Sequence, residues 1–167
     1  MNKKILYNSL ITFIIASIFH FIYTIFPSFI TSIFFPVNES IFEHLKLLFT
    51  ASIISTLLFN INEKEYNIYF IAFIKAIINI VLLLIIYLPI RSIFGEVLIL
   101  TLLTLFISIL LTEIIIKRVP INTYYNLNKI GIILIILSYI IFTILSYHPP
   151  KTFLFYDTQS NNYGIKK

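Results

Sequence analysis

The chain has 167 residues, of which 59% are apolar, 17% aromatic and only 11% charged, with a formal net charge of +5 and no cysteine. A soluble domain gives about a quarter of its residues to Asp, Glu, Lys and Arg, so this composition excludes an ordinary soluble globule. The lack of cysteine excludes disulfides, thiolate zinc sites and thiol nucleophiles.

Five apolar stretches, each about the length that crosses a bilayer core as a helix, follow one another along the chain. Met1 to Lys4 resembles the charged start of a secretory signal, but the apolar region behind it is too long and no A-x-A-like cleavage site follows. A retained first helix is therefore expected over 5–26. Pro27 closes it, and residues 28–35 are apolar but too short to cross, so they are expected to lie at the interface or dip in beside the first helix. The second helix is expected over 41–59, after Pro36-Val37-Asn38-Glu39-Ser40. A polar segment separates it from the third, over 68–90, which Pro89 to Ser92 should end. The fourth, over 97–116, holds one charged residue, Glu113. A basic segment with Pro120 precedes the fifth, over 130–147.

The expected fold is all-α: a polytopic membrane protein built as a bundle of five transmembrane helices within residues 1–150, followed by a short extramembrane tail over 151–167. Three glycines, Gly95, Gly131 and Gly164, leave no phosphate-cradling loop, no nucleophile elbow and no GxxxG helix pair. Small and hydroxyl residues recur at helical spacing, such as Ser9, Thr12 and Ala16, or Thr104, Ser108 and Thr112. Lipid offers no hydrogen bonds, so these stripes should face other helices.

With the N-terminus inside, the inner ends carry Lys3, Lys4, Lys64, Lys117, Arg118 and Lys129, and the outer segments carry Lys46, Arg91 and Lys151. That bias favours a cytoplasmic N-terminus and an outside C-terminus in a cell inner (cytoplasmic) membrane. Charge gathered at helix ends in this way argues against nucleic acid as a partner. The lipid bilayer is the expected partner, with a membrane-protein partner or a second copy left open.

An odd number of spans brings the loop after helix one, the loop after helix three and the tail to one side. They hold most of the unusual polar residues. The densest run is Asn38, Glu39, Ser40, Glu43, His44 and Lys46. Ser40 followed by Glu43 has the spacing of a reciprocal capping box, which accounts for two of them. Ionisable groups beside a membrane span are otherwise costly and point to function. These six are the candidate binding residues, and Glu39, Glu43 and His44 the candidate catalytic ones.

The segment Pro36 to Lys46 resembles the signature of a family of small bacterial multi-pass membrane proteins, a domain of unknown function with a Pro-Val-Asn-Glu-Ser-x-x-Glu-His-Leu-Lys motif. The five-span order and the tail stretches His-Pro-Pro and Phe-Leu-Phe-Tyr-Asp are similar too. Asp157-Thr158 stands where Asp-Pro is usual, and Phe42 where Trp is common. The resemblance implies a fold and a location and supplies no activity.

His20, His44 and His148, with Asp157 or the glutamates, are the candidate metal ligands, and Zn²⁺ is the cofactor such nitrogen and oxygen donors admit. No HExxH or HxxxH spacing occurs, so the donors would have to converge from separate elements. Two functions remain: a polar outward site that binds a headgroup, ligand or partner, or a small intramembrane metal-dependent hydrolase or transferase acting on a lipid-like substrate. Nearer the inner side, Lys75 and Glu113 can pair across the bundle or snorkel to the surface. The tail either folds over the polar site, bringing Asp157 towards Glu39 and His44, or stays wet.

Overall fold

A computed structural model describes residues 3–59, 67–119 and 126–165; Lys64 and Pro120 lie outside the described residues. The chain forms α1 (Lys3–Phe19), α2 (Ile22–Ile25), α3 (Phe29–Phe34), α4 (Ile41–Phe59), α5 (Ile68–Phe94), α6 (Leu98–Ile116) and α7 (Asn128–Tyr147). A small antiparallel hairpin of β1 (Tyr156–Asp157) and β2 (Asn162–Tyr163) follows. The stretch Lys3–Ile25 and the helices α4, α5, α6 and α7 are each long and apolar enough to cross a membrane, so the protein is an all-α bundle of five such spans.

The spans are not equivalent. In α4, 78% of the apolar window is buried, against 11–28% in the other four, which makes α4 the core of the bundle. The outer helices present large apolar side chains such as Ile85, Leu98, Ile133 and Ile141 on their exposed faces. Water would penalise that surface, whereas hydrocarbon matches it. α4 packs on α1 and α5, and α6 packs on the same two, which closes a ring of four helices; α7 lies against α5 and α3.

The small-residue stripes face inward, since Ser9, Thr12, Ala16, Thr104, Ser108 and Thr112 are all buried. Most of their hydroxyls do not bridge helices. Ser9, Thr12 and Thr112 donate to carbonyls one turn back in their own helices, so what they contribute to packing is small size. Longer side chains add bonds between helices: Asn79 donates to Ser52 at 3.0 Å and Tyr139 to Thr50 at 3.2 Å. Lys75 pairs with Glu113 between α5 and α6, with both side chains nearly inaccessible.

Three segments differ from the expectation. The first span breaks at His20 and Phe21, where the helical ladder tightens, with Phe21 N bonding Ile18 O. The third helix continues through Pro89 to Phe94 and ends at Gly95, whose φ of +72° suits a residue without Cβ. The short segment after Pro27 packs on α7 and α4. There Thr50 and Lys46 donate to the carbonyls of Phe34 and Ser32, which a helix of six residues leaves unpaired.

Gly131 marks a close approach of α7 to α5. A Cβ added there would stand 2.4 Å from the Phe70 backbone nitrogen and 2.6 Å from the Tyr69 carbonyl carbon. Backbone cannot step aside as a side chain can, so α5 and α7 would have to separate. Gly131→Ala is expected to cost about 1–3 kcal/mol, read as a lower thermal midpoint in detergent; an unchanged midpoint would contradict this packing.

Candidate functional site

The residues 36–46 meet the end of α1 and the tail at one end of the bundle. In an α-helix each residue turns 100°, so Glu43, Lys46 and Thr50 share one face of α4 while His44 points away from that face. The charged run therefore divides into two groups.

The first group is buried. Glu43 and Lys46 form an ion pair at 2.6 Å, both almost wholly inaccessible. Ser146 of α7 donates to Glu43 Oε1 at 2.5 Å, the backbone N–H of Val37 donates to Glu43 Oε2 at 3.1 Å, and Lys46 donates to the Ser32 carbonyl at 2.8 Å. Each charge is thus shared among several partners, as a buried pair requires. The capping box is only half formed. Glu43 N donates to Ser40 Oγ at 3.4 Å, but the Glu43 carboxylate turns to Val37, Lys46 and Ser146. The Ser40 N–H is taken instead by Asn38 Oδ1 at 3.0 Å. This network fixes both ends of the loop that carries Glu39.

The second group lies on the opposite side, towards α1. His20 Nε2 is 3.3 Å from His44 Nε2 and 3.3 Å from Glu39 Oε2, and His44 Nε2 is 3.5 Å from the same oxygen. His44 Nδ1 sits 2.9 Å from the Ser40 carbonyl. A carbonyl only accepts, so Nδ1 carries the proton and Nε2 of the neutral ring offers a lone pair to the cluster. His44 Nε2 and the Glu39 carboxylate are then two acceptors face to face. A cation at their common focus satisfies all three atoms at once. Contact with His20 is the largest influence on Glu39 and holds its carboxyl below the usual range, against partial burial and the nearby Asp157.

The triangle has metal-site dimensions. Bonds of about 2.0–2.1 Å at tetrahedral angles separate neighbouring donors by about 3.3–3.4 Å, whereas cis donors of an octahedral ion stand about 3.0 Å apart. The edges of 3.3, 3.3 and 3.5 Å fit one face of a tetrahedron. Two imidazoles and a carboxylate with one open corner form a donor set of catalytic zinc sites. The Nδ1 bond to the Ser40 carbonyl is the kind of second contact that orients a ligating imidazole.

The other two metal candidates take different places. His148 ends α7, with its N–H on the Ile144 carbonyl, and is not among the converging donors. Asp157 is buried, its carboxylate accepting from Gln159 N at 2.9 Å and Ser160 Oγ at 2.5 Å. The tail folds over this end. Asn38 Nδ2 donates to the Gly164 carbonyl, Phe42 N donates to the Leu154 carbonyl, and the Phe155 ring stacks on Phe42 at 4.4 Å. Nothing in the sequence around Ser146 marks it as the partner of Glu43 and Lys46.

A family model described as a family of unknown function (DUF6512) matches residues 1–165, and the chain belongs to that family. No curated protein and no solved structure matches it.

Proposed function

We propose that this member of the family is a small membrane-embedded zinc hydrolase, in which His20, Glu39 and His44 hold the ion. The near-equilateral triangle of His20 Nε2, His44 Nε2 and Glu39 Oε2 carries this reading. The fourth corner of such a site takes a water whose pKa falls to about 7, a nucleophile available at neutral pH. The residues of the chain supply the rest: Ser40 sets the His44 tautomer, and the Glu43–Lys46–Ser146 network holds the loop that presents Glu39. The test is hydrolysis of p-nitrophenyl butyrate by the purified protein in detergent, stripped with a chelator and then given zinc alone. The rate is expected to vanish on stripping and to return with zinc. A rate indifferent to both steps would overturn the assignment.

The proposed orientation in a cytoplasmic membrane is N-terminus inside, with the site on the outer side. Burial of Lys46 supports it, because that residue no longer counts as an outer-segment charge and the basic bias towards Lys3, Lys4, Lys117, Arg118 and Lys129 grows. Gln159 and Arg118 are exposed at opposite ends of the bundle, and the background is free of cysteine. A Gln159→Cys variant should react with an impermeant maleimide on intact cells, and Arg118→Cys only after lysis. The reverse pattern would contradict the orientation.

A further inference from the structure

Two cavities meet at the wall formed by His20 and Glu39. The larger, about 640 Å³, lies among α1, α4, α5 and α6 and is lined largely by Ala16, Leu47, Leu83, Leu98, Leu102 and Leu105, with His44 beside the shared wall. Its rim carries Phe21, Leu98 and Leu102, which are exposed on the face that suits lipid. The smaller, about 250 Å³, lies under the tail and is mixed in character, with Tyr23, Thr24, Asn38, Asp157 and Ser160 lining it beside Pro36, Val37 and Ile165. Neither lining contains Lys or Arg among the described residues, while Glu39, Glu96 and Asp157 supply carboxylates.

Resting on the zinc reading above, we infer that the substrate is a single-chain acyl ester with an uncharged head. Its chain enters sideways from the bilayer into the larger cavity, its head occupies the smaller one, and the ester linkage lies at the His20–Glu39–His44 focus. Burying the chain supplies about 0.8 kcal/mol per methylene, and the lack of cationic side chains disfavours an anionic head such as a phosphate. In the reaction the oxygen of one water bonds to the acyl carbonyl carbon and the bond from that carbon to the head-group oxygen breaks. One water proton goes to the departing oxygen and the other to solvent as the new carboxylic acid ionises.

The test uses the full chain in nanodiscs, with a diazirine-tailed monoacylglycerol as the photoreactive probe, crosslinks mapped by mass spectrometry, and zinc content measured on the same sample. Crosslinks are expected on Leu98, Leu102 and Leu105. Leu102→Trp, which fills the cavity from a partly exposed position, is expected to displace about two methylenes and weaken labelling about tenfold, with bound zinc unchanged. Leu137→Trp, on the exposed face of α7, should alter neither. A lysophosphatidic acid probe of the same tail should label more weakly than the neutral one. With zinc bound, labelling spread evenly over the exposed helices, or untouched by Leu102→Trp, would overturn the substrate assignment alone. Focused labelling without any zinc would instead remove the metal reading and, with it, the hydrolytic step.

Discussion

Lys46→Met is expected to destabilise the protein by about 3–5 kcal/mol, the cost of leaving one partner of a buried ion pair uncompensated. The Glu43 carboxylate would keep only Ser146 and the Val37 N–H, in a place where water does not reach. The Ser32 carbonyl would lose its donor as well. Glu43→Gln should cost a similar amount by stranding the ammonium. The double variant Glu43→Gln/Lys46→Met should recover much of the loss, because removing both charges also removes the penalty for desolvating them. Thermal unfolding in one detergent, taken through the full double-mutant cycle, checks this. Single variants within about 0.5 kcal/mol of the parent would mean that the pair is not a buried charge pair.

His44→Ala and His20→Ala are expected to abolish stoichiometric zinc binding. Loss of an outer contact to a ligating imidazole already weakens metal binding about 10–100-fold, and loss of one of three protein donors should exceed that. His148→Ala and Asp157→Asn are the informative controls, since neither residue reaches the triangle. They should retain one zinc per chain after dialysis. Zinc that survives in the His44 and His20 variants but leaves the His148 variant would place the ion elsewhere.

The five spans were legible because a bilayer sets a length scale that apolar runs must meet, and five stretches of the chain meet it. The pair of Lys75 and Glu113 was legible for the opposite reason: a charge in such surroundings needs a partner, and few were available. The division of the Glu39 to Lys46 run was written in the helical period, since residues 43, 46 and 50 share a face and 44 does not. The composition of the run drew attention to the charges as one cluster and away from that spacing. The break at His20 had no sequence signal of its own, with no Pro or Gly beside it. It coincides with the turn that brings the His20 ring to Glu39 and to His44, the latter 24 residues distant along the chain. Pro89 lies inside α5, so its residue type misstates where that helix stops; Gly95, with its positive φ, marks the end instead. The tail was the least legible part, because strands of two residues carry no periodicity. What holds it down is the Phe155 ring on Phe42 and the carbonyls of Leu154 and Gly164.

The proposed zinc site is tested most directly by X-ray absorption at the zinc edge of the purified, zinc-loaded protein. The expected spectrum has four nitrogen or oxygen neighbours at about 2.0–2.1 Å, with the outer-shell scattering of two imidazoles, and this signal is lost in His44→Ala. A six-coordinate oxygen shell without imidazole scattering, or the same spectrum from the His44→Ala variant, would contradict the site.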